Sequence, residues 1–514
     1  MARGAGALRG AGIAVAVMLV LLTLGTLIAV LLRGGGATLG PADWAAVRFT
    51  VVQAAVSAVL SVGLAVPVAR ALARRRFPGR GLLISAMGAP FLLPVIVAVL
   101  GLLAVFGRSG LFNQMLASTG IAPLSIYGFH GVVLAHVFLN LPLAVRLILS
   151  GWQGIPSERF RLAASLGMGP GAVLRHLELP MLRAVLPGAV LAVFLICLTS
   201  FAIALTLGGG PRATTVELAI YQALRFEFDP SHAALLAAVQ FALCGGAVAL
   251  AGTVSIHAGF GAGLDRRVER WDARAIGLRL QDTLVITGAA LFLLIPLGLV
   301  VERGILQLTD LPPEVWVAGL RSVLVATGST VLCMLAVVVL AVQVVRGARW
   351  IEVAGMLPLA ASSLVLGTGL FVLVHPFIAP ERLALPVTAL VNAAMALPFA
   401  LRIVLPALRD IEAAHGRLAD SLGLDGWSRL RWLILPRLRP ALAFGAGVVA
   451  ALSMGDLGVI ALFAGDSEAT LPLLVHRLMG AYRMDQAAAA AVLLVGLSFG
   501  MFWLLDRGGR HAAL

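Results

Sequence analysis

Apolar windows of roughly twenty residues recur along the whole chain, separated by short polar or glycine- and proline-containing stretches. A helix of about that length crosses the ~30 Å hydrocarbon layer of a bilayer, so the pattern predicts twelve spanning helices. They fall near 11–32, 49–69, 82–106, 129–149, 184–207 and 232–256, and then near 283–301, 321–345, 351–375, 385–405, 442–463 and 486–505. The first window is longer than a signal-peptide core and no small-x-small cleavage pattern follows it, so it reads as a retained span. The polar, arginine-rich stretch 257–282 separates six windows from six, which divides the chain into a first repeat 1–256, a linker 257–282 and a second repeat 283–514. An even number of crossings in each half gives the halves the same orientation, a parallel repeat, and leaves both termini on one side.

The halves also match residue by residue. Arg161 to Arg183 reads RLAASLGMGPGAVLRHLELPMLR and Arg417 to Arg439 reads RLADSLGLDGWSRLRWLILPRLR, with 13 of 23 residues identical at a shift of 256 and no gap. Leu141-Pro142 and Arg146 correspond to Leu397-Pro398 and Arg402 at the same shift. Each copy predicts a short surface helix, a turn and the start of a span. In the first, Ser157 is placed to cap the helix beside Pro156 and Glu158. In the second, Asp410 is placed to do so with Glu412 following. Gly167 and Gly423 supply the left-handed residue that ends each helix.

Composition sharpens this picture. Hydrophobic residues make up 60% of the 514 and charged residues 12%, far from the roughly half and quarter of an average soluble domain, so the chain belongs in a lipid bilayer. The net charge of +14 is carried by arginines clustered at the termini, in 70–80, around both repeated stretches and in 266–279. By the positive-inside rule these segments and both termini are cytoplasmic, and the charge needs no nucleic-acid partner. There is no lysine anywhere, which excludes a phosphate-binding loop of the form GxxxxGK[ST]; if ATP drives this protein, another chain hydrolyses it. Cys197, Cys244 and Cys333 lie in apolar runs without metal-ligand spacing. No HExxH or Ser-His-Asp pattern stands out, so no catalytic residue and no metal site is expected.

The repeated stretch resembles the EAA motif of the membrane subunits of ABC importers: E-A-A, three residues, G, nine residues, then I-x-L-P. Ala163 and Ala419 match the second alanine, Gly167 and Gly423 the glycine, and Leu179-Pro180 and Leu435-Pro436 the closing pair. Arg161 and Arg417 stand where the family has glutamate, and Leu162 and Leu418 where it has the first alanine. The resemblance implies an all-α polytopic membrane protein with about twelve transmembrane helices, built as two fused MetI-like type I importer permease repeats. It implies that the helices 157–166 and 411–422 dock onto a cytoplasmic ATPase, and that Arg161, Ala163, Gly167, Leu179 and Pro180, with Arg417, Ala419, Gly423, Leu435 and Pro436, form the coupling loops.

Polar groups inside spans are costly and mark candidate pathways. Asp456, in Ser453-Met454-Gly455-Asp456, corresponds at the 256 shift to Ser200, beside Thr199. Because these spans follow the coupling loops directly, Thr199, Ser200, Ser453 and Asp456 are candidates for the translocation path, where a carboxylate attracts a cationic solute. Gln53, His136, Asn140, Gln240 and Asn392 are weaker candidates, with interhelical hydrogen bonding as the simpler role.

The outer segments Ala204 to Asp229 and Thr470 to Gln486, together with Ala451 to Phe463, resemble the permease family of the bacterial thiamine and thiamine pyrophosphate importer. That resemblance covers nearly the whole chain. It implies an inner-membrane permease working with two copies of an ABC ATPase, which carry the ATP and magnesium, and with a periplasmic solute-binding protein. One fused chain per complex is expected. A fused permease for another solute such as ferric iron shares the spans and both motifs; a secondary transporter shares the spans but has no need of paired docking loops.

Overall fold

The computed structural model describes residues 2–33, 38–88, 93–252, 271, 275–465 and 468–511. Among them every regular element is helical, as the window pattern predicts. Eleven helices are long and apolar enough to cross a membrane, and a pair of bent segments makes a twelfth. Most of the linker, 257–270 and 272–274, lies outside the described residues. The rest of it is not loop throughout, because the helix carrying the seventh span already starts at Ile276 and runs to Leu306.

Two windows that read as single spans are not straight helices. The ninth is broken: Arg349–Ala360 and Ser363–Val374 meet at 90°. Pro358 lies in the tight turn before the break, and the Ser362 side chain accepts the Val365 N–H at 3.1 Å, which starts a new helix there. In the first half the corresponding window is divided into Arg80–Ala86 and Val95–Phe106, with 89–92, including Pro90, outside the described residues.

The helices assort into two compact units, and each unit draws on both sequence halves. One comprises Met1–Trp44, Val216–Gly245 and Arg303–Leu514; the other comprises Ala45–Thr215 and Gly246–Glu302. The core of the first unit is made by one stripe of the Ala384–Ser421 helix, where Leu397, Ala400, Leu401, Val404, Leu405 and Leu408 recur at helical spacing. That stripe packs on Val337, Leu340 and Ala341 of the Pro313–Val345 helix, and Ala16 and Leu19 of the first span join the same cluster. The first span therefore packs on helices of the second half. Gly369 permits the approach, since a Cβ there would lie 2.4 Å from Cβ of Thr26.

In the second unit, Phe138 and Phe292 meet edge to face at 5.5 Å, and Gly101 lies against the backbone of Pro296. The unit is pinned at one end by ion pairs. Asp282 accepts from Nη2 of Arg74 and from Nε of Arg75, both at 2.6 Å, and the Arg74 and Asp282 side chains are each 2% exposed.

Candidate functional site

The repeated stretches fold into nearly superimposable sequences of elements. Short helices Pro170–Val173 and Gly426–Arg429, π-turns Leu174–Glu178 and Leu430–Ile434, and spans Leu179–Leu198 and Leu435–Met454 correspond at the same shift of 256. Pro180 and Pro436 are the second residues of the α-helical segments that continue directly from these turns.

The turn ahead of these elements is closed in the same way in both copies. Gly167 has φ 61° and Gly423 φ 64°, the left-handed region. The N–H of Met168 reaches the carbonyl of Ala163 at 3.0 Å, and that of Leu424 reaches Ala419 at 2.9 Å. Gly167 and Gly423 donate to Ala164 and Asp420. This is the six-to-one, five-to-two closure of a Schellman cap, and Ala163 and Ala419 are buried beneath it.

The starts of the two coupling helices differ from the sequence expectation. Ser157 does not cap; its hydroxyl donates to Oε1 of Glu158, and Pro156 precedes the Ser157–Ser165 helix without a side-chain cap. In the second copy no new helix starts at Asp410. The Ala384–Ser421 helix runs through, because Glu412 stands where the first copy has Pro156, whose missing N–H and restricted neighbour interrupt a helix.

Each handle presents the same exposed edge. Leu162, Leu166, Leu418 and Leu422 are all more than half exposed, and Arg161 and Arg417 beside them are exposed as well. Two leucines and an arginine at matched positions give each of these helices an exposed apolar edge with a positive charge beside it.

The handles are braced differently, and sequence reading missed both braces. In the first copy Glu178 is fully buried and takes Nε of Arg70 at 2.7 Å, while Trp271 donates to the Met168 carbonyl at 3.1 Å. In the second copy the Glu178 position is Ile434. There Arg429 instead grips Glu412 and Asp420, tying the end of the handle to the following turn. A buried acid in the otherwise apolar Leu-x-Leu-Pro segment was the one legible sign of the first brace. Arg429→Met leaves two carboxylates unpaired and should lower the amount of solute moved per ATP hydrolysed several-fold. An unchanged ratio at equal membrane abundance would show that the brace plays no part in coupling.

The candidate path residues sit where the following spans break. The first break falls at Thr199 and Ser200, between the Leu179–Leu198 and Phe201–Leu207 helices. The second falls at Gly455 to Leu457, between Leu435–Met454 and Gly458–Phe463. Non-helical backbone at membrane depth is tolerated only where it is buried in protein or lines a wet cavity. The two interruptions occupy corresponding places in the two halves. The carbonyls left over at the breaks are satisfied by side chains. Gln53 donates to the Cys197 carbonyl at 2.9 Å, and Asn392 donates to the Ser453 carbonyl at 3.4 Å and to the Ser453 hydroxyl at 3.0 Å, which also receives Ser329 at 2.7 Å. Asn140 donates to its own helix and to Cys197 Sγ, His136 lies 3.3 Å from Ser57, and Gln240 donates to Cys244. Gln53, Asn140 and Asn392 therefore bind residues that border the breaks, with Ser453 held in the network, whereas His136 pairs with Ser57 and Gln240 bonds within its own helix.

Asp456 behaves differently. It receives the backbone N–H groups of Gly458 and Val459, and its Oδ2 has no hydrogen-bond partner among the described residues. Glu217, which sequence reading passed over within its outer segment, comes close to it. Glu217 lies on the amphipathic helix Val216–Arg225, is 2% exposed and is hydrogen-bonded to Ser362, with its Oε1 unpartnered. Burial pushes its carboxyl up to about 7; the Ser362 hydrogen bond opposes the rise and the nearby Asp456 adds to it. The helix and its counterpart Leu471–Gly480 are anchored by arginine: Arg225 donates to the Ala464 carbonyl and Arg477 to that of Gly465.

Comparison with known proteins follows these elements. The family described as "Binding-protein-dependent transport system inner membrane component" matches residues 334–507. The chain is 41% identical to the thiamine transport system permease protein of Salmonella typhimurium over 91% of this chain and 90% of that protein. It is 40% identical to the Escherichia coli protein of that name, covering 90% and 89%, and 38% identical to that of Brucella abortus, covering 94% and 92%. Matches of this extent take in both repeats and both coupling turns, and the chain belongs to the family of thiamine transport system permease proteins, fused inner-membrane components of ABC importers.

Proposed function

We propose that this chain carries thiamine, and its phosphate esters, across the bacterial inner membrane as the single fused permease of an ABC importer. The observation that carries the reading is the near-full-length identity with permeases named for thiamine transport. The paired docking edges support one ATPase subunit at each handle, hence two ATPases per permease, with ATP and magnesium bound on those subunits. Arginine placement supports cytoplasmic handles and termini and a periplasmic face that receives a solute-binding protein. Arg161, Ala163, Gly167, Leu179 and Pro180, with Arg417, Ala419, Gly423, Leu435 and Pro436, form the coupling elements in this scheme. Closure of the ATPase pair moves both handles, and the spans that follow them carry the motion to the breaks at Thr199-Ser200 and Ser453 to Asp456. A permease can be shifted by ATP only through contacts that differ between its two access states, and the handles are where those contacts are made.

Uptake of labelled thiamine into proteoliposomes holding the permease, its ATPase and its binding protein tests this directly. Accumulation only with ATP on the ATPase side is expected. Uptake driven by an ion gradient without ATP would make the protein a secondary transporter. ATP-driven uptake of iron in place of thiamine would keep the scheme and replace the solute.

A further inference from the structure

We propose that Glu217 and Asp456 together form a binding site for an organic cation within the permease itself, and, resting on the thiamine reading, that they receive its positively charged thiazolium ring. The two residues come from different sequence halves and meet inside one compact unit: Glu217 on Val216–Arg225, Asp456 just ahead of Gly458–Phe463. The site is built rather than incidental. Each carboxylate is fixed through one oxygen, Glu217 by the Ser362 hydroxyl and Asp456 by the N–H groups of Gly458 and Val459. Ser362 is itself held, since its oxygen also accepts the Val365 N–H at the 90° break. The remaining oxygens, Oε1 of Glu217 and Oδ2 of Asp456, are shielded from solvent and have no partner among the described residues.

Three helix interruptions converge on this point: the bend before Ser363, the break at Gly455 to Leu457 and the start of Val216–Arg225. Irregular backbone gathered inside the protein is the setting in which transporter sites are built. No cationic side chain is among the groups acting on either carboxylate among the described residues. Two carboxyl groups in one buried site repel once both are ionised, and a cation between them relieves that repulsion while supplying the missing partner. A quaternary ring nitrogen suits such a site because it carries charge with weak hydration, so less is lost on entry than for a metal ion. The counterparts of both residues at the 256 shift, Ser200 and Leu473, are uncharged, so fusion of the halves permits one acidic site rather than two.

The test is equilibrium binding of labelled thiamine to the purified permease–ATPase complex without the binding protein, alongside the proteoliposome assay. Wild type is expected to bind, and Glu217→Gln and Asp456→Asn each to weaken binding about tenfold or more, the loss of one charge-assisted contact. Co-purification of the ATPase with each variant, and elution of the complex as a single species, report that the variants are folded and assembled. A measurement on the unmodified complex covers the case of misfolded variants: an analogue with a neutral thiophene in place of the thiazolium should fail to displace thiamine. Equal binding by folded variants, displacement by the neutral analogue, or transport without any binding to the wild-type complex would each overturn the site. Absence of thiamine uptake by the complete wild-type system would instead overturn the solute assignment.

Discussion

Replacing both Gly167 and Gly423 by valine is expected to abolish ATP-driven uptake while leaving membrane insertion intact. A Cβ built at either position meets nothing within 4 Å, so valine would clash with no neighbour. The penalty lies wholly in the backbone. With φ at 61° and 64°, a β-branched residue either bears strain of about 1–3 kcal/mol at each turn or abandons the conformation. Abandoning it breaks the hydrogen bonds to Ala163 and Ala419 and re-aims the exposed leucines of each handle. Asparagine tolerates the left-handed region, so the double asparagine variant should keep most of its uptake. Normal uptake by the valine variant at equal abundance would remove the coupling role of the turns.

Asp282→Ala should give the largest loss of stability among single changes at charged positions. It strands Arg74, whose side chain is 2% exposed, and takes a partner from Arg75. Removing one member of a buried pair costs about 3–5 kcal/mol, because the surviving charge stays desolvated and uncompensated. Thermal unfolding of the purified permease in detergent should move several degrees lower. Replacing Arg74 by Met together with Asp282→Leu should recover much of that loss, because a neutral apolar pair has no such penalty. If the single variant unfolds with wild type, the pair contributes nothing to holding the ends of these helices together.

Much of the architecture was legible because it follows from local chemistry. Bilayer thickness sets the length of an apolar window, so eleven of the twelve windows correspond to candidate spans and the twelfth to a bent pair. The 256-residue shift carried over even to the π-turns, although the two copies are braced by different ion pairs, because the local sequence sets the turn. Glycine at a left-handed position is a property of one residue and its peptide bonds, so the ends of both handles could be read directly. The start of the second handle was misread because capping residues were given more weight than proline. A helix continues through Asp410 when nothing interrupts it, and Glu412 does not.

Charged and broken elements were a different matter. Glu178 meets Arg70 across 108 positions and Asp282 meets Arg74 across 208, distances at which neither helical nor strand periodicity carries information. Thr199, Ser200, Ser453 and Asp456 stood out as polar residues in apolar runs, yet only the fold revealed that they surround paired helix breaks and that Gln53 and Asn392 satisfy the carbonyls there. The exchange of helices between halves, which brings Glu217 to Asp456, left no trace in either half's own pattern. Hydrophobic periodicity records which face of a helix is buried and how long that helix is. Which other helix covers the face is decided by packing, whose selectivity comes from the joint shape and charge of residues hundreds of positions apart.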